Sequence, residues 1–278
     1  MYTQYWNLQS SPFLNTDSEQ LLYPADQLQE GVARLYYLID QERIAGLLTG
    51  PYGVGKSFLL TCLVRRAQES GLAFIRFDAV PGGALPMAKH IMRAFGIEES
   101  PSALADALMI LQEHCQDQSD NLQRHVLLID EAQHLGDEEG LYLVHFLCNL
   151  RIRQNGTDKP LFTIILCGTP ELVDRIHGYE SLQRRIQLLW ALRPYNEEQT
   201  VAYIQHHLHA VGGRDDIFTP ESLSLVYRCT GGLPRAINNL CDTALMLGYA
   251  AQVDAITPDI VTEAAIDSGI ISSEDVKR

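Results

Sequence analysis

No stretch of this 278-residue chain approaches the roughly 18 consecutive apolar residues that a membrane-spanning helix requires, so no direct membrane insertion is expected. The N-terminus has no basic segment leading into an apolar one, so no secretory signal is expected either. The six cysteines, at positions 62, 115, 148, 167, 229 and 241, form no C-x-x-C pair. They read as small core residues of a reduced, cytoplasmic protein rather than as zinc ligands. His206-His207-Leu208-His209 has no cysteine or carboxylate pattern beside it, which argues against a metal there. Basic charge is scarce as well. Lys and Arg number 21 against 35 Asp and Glu, a net charge of −14. A protein that works by gripping nucleic acid normally carries a basic stripe, so this balance disfavours DNA. Arg151 with Arg153, and Arg184 with Arg185, are the short basic clusters that remain, and they read first as solvated faces and ion pairs. Internal repeats and low-complexity tracts are missing too. What is present is ordinary: 46% hydrophobic and 20% charged residues, enough for one large or two smaller globular domains.

Against that plain background one segment is distinctive. Gly50-Pro51-Tyr52-Gly53-Val54-Gly55-Lys56-Ser57 fits the phosphate-loop pattern G-x-x-x-x-G-K-[ST]. The glycines let backbone N–H groups turn inward around phosphate oxygens. Lys56 brings a positive charge to the β- and γ-phosphates, and the Ser57 hydroxyl can hold Mg²⁺. The apolar run 44–48 before it reads as a buried strand. Phe58 onward reads as a helix whose N-terminus faces the anion.

Five strand-like runs, 44–49, 73–78, 125–129, 161–167 and 186–192, alternate with helical stretches near 56–69, 85–95, 102–116, 138–153 and 170–177. Alternation of this kind predicts an α/β fold, a mostly parallel sheet with helices on both faces. The phosphate loop follows the first of these strands, at the carboxyl end where such sheets bind ligands. Arg193-Pro194 breaks the pattern, and helices near 196–211, 220–229, 234–250 and 258–267 follow. Thr219-Pro220-Glu221 and Thr257-Pro258-Asp259 each put a capping hydroxyl before a first-turn proline. The expected division is an N-terminal segment 1–43, a sheet domain 44–193, a small all-helical lid 194–267 and a flexible tail 268–278.

The strand His125–Ile129 runs into Asp130-Glu131. Beside a phosphate loop, Asp130 is expected to anchor Mg²⁺ and Glu131 to polarise the attacking water. Thr169 ends the next strand, where a hydroxyl can touch the γ-phosphate or simply start a helix at Thr169-Pro170. Gly231-Gly232-Leu233-Pro234-Arg235 opens a helix, and Arg235 at its N-terminal end can reach a nucleotide. Arg184 and Arg185 precede the fifth strand, where either can face the nucleotide of a neighbouring subunit in a ring.

Taken together these pieces resemble an AAA+ P-loop ATPase, and more narrowly the ExeA-type ATPases (general secretion pathway protein A and pilus-biogenesis relatives). The narrower likeness rests on Ser11-Pro12-Phe13, Leu48-Thr49-Gly50, Leu128-Ile129-Asp130-Glu131-Ala132-Gln133, Pro170-Glu171-Leu172, Leu192-Arg193-Pro194 and Gly231–Asn238. The resemblance implies Mg-dependent ATP binding and hydrolysis, homo-oligomers that include rings, and secretion or pilus assembly proteins as partners. It implies a cytoplasmic protein held peripherally at the inner membrane through a partner. It selects Arg185, beside Ile186, as the arginine acting in trans, makes Arg235 the lid arginine, and places Pro12 and Phe13, with the segment 1–43, near adenine on the ATPase core. Pro51-Tyr52 departs from the acidic and small residues usual in that loop. The rival expectation is a DNA-associated regulator of the transposition type, which shares Asp-Glu-Ala-Gln but needs a basic surface.

Overall fold

The computed structural model describes residues 2–15, 23–68, 71–79, 83–119, 121–135, 138–154 and 156–271. The predicted tail falls partly outside the described residues, at 272–278. The chain divides into two compact units, one of residues 26–52 and 56–192, the other of residues 1–25, 53–55 and 193–278.

The first unit is built on a five-stranded parallel sheet in the order β2-β3-β6-β1-β7. Its strands are β1 (Ala45–Thr49), β2 (Ala73–Asp78), β3 (His125–Asp130), β6 (Phe162–Gly168) and β7 (Ile186–Ala191). All of β1 and β6, and all but the first residue of β3, are buried. Continuous burial is what strands covered on both faces require, and it explains why these segments read as unbroken apolar runs. Among the described residues β7 pairs only with β1, and it alternates between half-buried and exposed residues, as an edge strand does. The connecting helices are α3 (Lys56–Gln68), α4 (Ala84–Ala94), α5 (Leu104–Asp117), α6 (Glu138–Asn149), α7 (Glu171–His177) and α8 (Glu180–Gln183). Before β1, α2 (Asp26–Asp40) buries Val32, Leu35, Leu38 and Ile39 along one face. It crosses close to β7 at Gly31, where a Cβ would stand 2.5 Å from Trp190 Nε1.

One predicted element is corrected. The helix expected over 138–153 ends at Asn149, and the chain turns into an antiparallel hairpin of β4 (Arg151–Gln154) and β5 (Thr157–Pro160). Ile152 is buried between exposed Arg151 and Arg153, a period of two rather than 3.6. The Asn155-Gly156 dipeptide, a strong hairpin signal, stood in the sequence unused.

The second unit holds α9 (Glu197–Ala210), α10 (Pro220–Thr230), α11 (Pro234–Ala250) and α12 (Pro258–Asp267), together with α1 (Tyr2–Tyr5). Asn196 starts α9 with a capping box: its side chain accepts from Gln199 N at 2.8 Å, and the Gln199 side chain accepts from Asn196 N at 3.0 Å. Thr219 caps α10 as expected, but Thr257 makes no side-chain cap bond at α12.

The segment predicted as 1–43 splits between the units, with residues 1–25 joining the helices and Asp26–Asp40 joining the sheet. Aromatic burial drives the first part. Trp6 is 4% exposed and donates from Nε1 to Leu245 O at 2.9 Å, while Tyr5 donates to Val253 O at 2.9 Å. Phe13 stacks on His207 with ring centroids 5.9 Å apart, and His207 Nδ1 bonds Pro12 O at 2.8 Å. Burial pushes His207 down to about 4, so the ring is neutral at pH 7.

Gly232 is a fixed point of this unit. Its φ is 75°, and a Cβ there would stand 1.9 Å from Tyr195 O, while Tyr195 N donates back to Gly232 O at 2.9 Å. Gly232→Ala is therefore expected to destabilise this unit by about 3 kcal/mol, since backbone must move to admit a single methyl group. Thermal or urea unfolding checks this, and an unchanged midpoint contradicts it.

Candidate nucleotide-binding site

β1 delivers the phosphate loop, and the loop turns because Gly53 (φ 76°) and Gly55 (φ 104°) occupy conformations that side chains rarely adopt. α3 begins at Lys56 directly afterwards. Lys56 is 6% exposed, and its ammonium donates to Gly50 O at 2.9 Å and Pro51 O at 3.1 Å, 5.5 Å from the centre of the Tyr52 ring. The cation is thus held by carbonyls of its own loop.

Ser57 Oγ donates to Asp130 Oδ2 at 2.9 Å, joining the start of α3 to the end of β3. Asp130 is 3% exposed; its Oδ1 accepts from Glu131 N at 3.0 Å, and Arg76 Nη2 lies 3.4 Å from Oδ2. The Cys167 thiol on neighbouring β6 is pushed far above its ordinary range, by burial first and then by the charge of Asp130. This thiol is an inert core group.

Glu131 leaves the strand in the left-handed region, at φ 51°. Backbone strain at a non-glycine residue concentrates at functional sites. Its carboxylate accepts from Gln133 Nε2. Gln133 Nε2 also donates to Tyr52 OH at 3.0 Å, and Gln133 Oε1 accepts from Thr169 N at 3.2 Å. In the sequence Gln133 is one residue of the Asp-Glu-Ala-Gln stretch, with nothing local to mark a role for it. Tyr52, noted there as a departure, belongs to this network.

The structure thus brings Lys56, Ser57, Asp130, Glu131 and the backbone of Thr169 together. The Thr169 side chain bonds Glu171, whose carboxyl group is held below its usual range by that contact. Phe58 is half-buried in the first turn of α3, and Val54 is buried in the loop. Arg235 is exposed in the first turn of α11, and its backbone N–H donates to Gly53 O at 3.2 Å, a contact within the unit that contains residues 53–55. Arg184 pairs with Glu180, whereas Arg185 has no ion-pair partner among the described residues and lowers the His145 pKa along with desolvation, the larger cause. Pro12 and Phe13 are both buried in the helical unit, with Phe13 3% exposed against His207 and Phe218. Phe13 lies face-on against His207 and edge-on against Phe218, the packing of a core aromatic ring. His206 and His207 sit in an aromatic cluster with Tyr23, Tyr195 and Tyr203, and the described residues hold no cluster of three metal-ligating groups.

Residues 39–176 match the AAA domain family. General secretion pathway protein A of Aeromonas hydrophila is 31% identical over 277 residues, which are 97% of this chain but 49% of that protein. The chain therefore spans about half the length of this curated relative. Among solved structures, the Aeropyrum pernix ORC2 protein in its ADPNP-ADP complexes aligns with a TM-score of 0.65 at 18% identity, covering 92% of this chain and 71% of that one. Cdc6p from Pyrobaculum aerophilum aligns with a TM-score of 0.66 at 16% identity, covering 96% and 73%. The structural likeness establishes the fold. The matched AAA domain spans the loop and the acid pair, in a chain that is similar over 97% of its length to general secretion pathway protein A.

Proposed function

We propose that this protein hydrolyses Mg-ATP at the Lys56–Ser57–Asp130–Glu131 cluster, and that the cycle drives assembly or energising of an envelope export system through nucleotide-dependent self-association. The observation that carries the chemistry is the 2.9 Å bond between Ser57 Oγ and Asp130 Oδ2 beside a buried lysine on a glycine loop. A hydroxyl and a carboxylate side by side are hard oxygen donors of the kind Mg²⁺ takes, with substrate phosphates and water completing its shell. Bound at Ser57 and Asp130, Mg²⁺ would neutralise phosphate charge. Lys56 holds β- and γ-phosphate oxygens. Glu131 orients a water and takes its proton as the water oxygen bonds the γ-phosphorus and the bond to ADP breaks. Arg235, in the first turn of α11, is the proposed arginine partner of the phosphates. Thr169 is proposed to sense the γ-phosphate, with its backbone N–H tied to Gln133.

The process is read from the relative's name, general secretion pathway protein A, together with the absence, among the described residues, of any helix long and apolar enough to cross a membrane. Export or pilus components of the inner membrane are the proposed partners. The test is capture: Glu131→Gln protein loaded with ATP is immobilised and offered detergent-solubilised cell extract. Recovery of export or pilus components supports the reading. Recovery of DNA with none of them reverses it.

Arg185 carries the self-association part. It has no ion-pair partner among the described residues and lies before β7, half-buried beside Gln187 and His145. Wild-type specific activity is expected to rise with protein concentration. Arg185→Ala should remove that rise and leave a low, concentration-independent rate, at least about 10²-fold below the wild-type plateau. Phosphate release measured over a dilution series decides it, and a variant that tracks wild type at every concentration excludes a trans role.

A further inference from the structure

We propose that Gln133 is the positioning residue that sets the Glu131 carboxylate for hydrolysis, an inference that rests on the reading of Glu131 as the group that polarises water. The Gln133 carboxamide touches three elements that surround the phosphates: Glu131 beyond β3, Tyr52 of the loop and the Thr169 N–H beyond β6. Chemistry fixes its orientation. The Thr169 N–H can only donate, so it faces Oε1. An ionised Glu131 can only accept, so it faces Nε2. Rotating the amide by half a turn would break both contacts.

The surroundings hold the amide in place. Arg175 Nη1 donates to the Gln133 carbonyl, tying its backbone to α7. A Cβ on Gly168 would lie 2.8 Å from Gln133 Oε1 and 3.3 Å from Gln133 N, so the glycine that ends β6 leaves the space the carboxamide fills. On the other side Glu131 sits at φ 51°, where its side chain leaves the strand direction. A carboxylate on a strained backbone needs a partner to have one position, and Nε2 of Gln133 is that partner. Because the same nitrogen bonds Tyr52, the position of the carboxylate is tied to the loop that holds the nucleotide.

Two substitutions separate this from a merely structural link. Gln133→Glu keeps an oxygen for Thr169 N–H but turns a like charge toward Glu131. Gln133→Met keeps length and loses both contacts. Each is expected to lower kcat by roughly 10- to 100-fold while leaving ATP affinity within about threefold, because the lost interaction serves the reacting water and not nucleotide binding. In a Glu131→Gln background the Gln133 changes should cost almost nothing more, since groups acting as one unit are not additive. ATP affinity by fluorescence and kcat by phosphate release are measured on the full chain. Gln133→Glu with wild-type kcat overturns the proposal and leaves Glu131 as the base. Fully additive losses overturn it too. Wild-type kcat in Glu131→Gln alone overturns the underlying reading, and the inference with it.

Discussion

Lys56→Ala should bind ATP on the order of 10²- to 10³-fold more weakly than the wild type, the largest loss of nucleotide affinity expected from any single change in this chain. The ammonium already has two partners, since Gly50 O and Pro51 O accept from it at 2.9 and 3.1 Å. Binding therefore exchanges two neutral acceptors for anionic phosphate oxygens. Bonds from a charged donor contribute about 1.5–3 kcal/mol each, and the two carbonyl contacts offset part of this. A net of about 3–4 kcal/mol corresponds to the stated range. Alanine also leaves two loop carbonyls without their donor, so the thermal midpoint must be measured in parallel. Lys56→Arg is the companion variant: it keeps the charge but brings a wider, planar group into a position only 6% exposed. Equilibrium titration with a fluorescent ATP analogue gives the answer. Affinity within threefold of wild type for a folded Lys56→Ala protein would mean that this loop does not hold phosphate.

The loop was legible in the sequence because its chemistry is local. Gly53, Gly55, Lys56 and Ser57 lie within five residues, and each answers a requirement of backbone or charge that no distant residue supplies. The strands β1, β3 and β6 were legible for a related reason: burial on both faces writes itself as an unbroken apolar run. Asp130 could be read because it ends such a run.

What could not be read depends on which distant segments meet. Aromatic residues at 2–13 are compatible with a nucleotide-facing segment or with a core, and only the partners decide. Those partners, Leu245, Val253, His207 and Phe218, lie some two hundred residues further along the chain. Gln133 lies in the Asp-Glu-Ala-Gln stretch, yet its contacts depend on β3 and β6 being neighbours in the sheet, so that the turn after one strand lies beside Thr169 at the end of the other. The β4–β5 hairpin was missed for a different reason. The apolar period of α6 was carried four residues too far, past Asn149 and into a segment whose side chains alternate.

Glu131→Gln is expected to retain ATP binding and lose about 10²- to 10⁴-fold in kcat, the range a positioned general base contributes. Gln matches Glu in size, and it tolerates the left-handed backbone at φ 51° no worse. Its amide oxygen can still accept from Gln133 Nε2, so the link to Tyr52 and Thr169 survives the change. What disappears is a basic oxygen able to take a proton from water, and with it one negative charge near the phosphates. Removing that charge favours an anionic ligand, so ATP affinity should be unchanged or tighter while turnover stops. Single-turnover phosphate release and equilibrium binding on the same preparation distinguish this from a folding defect, which would weaken both. Asp130→Asn supplies the contrast: it removes the negative charge that faces Ser57 Oγ and would attract Mg²⁺, and should therefore lower Mg-dependent nucleotide affinity along with rate. If Glu131→Gln instead turned over at the wild-type rate, the proton would have to leave through another group, and the reading of Glu131 as the general base would fail.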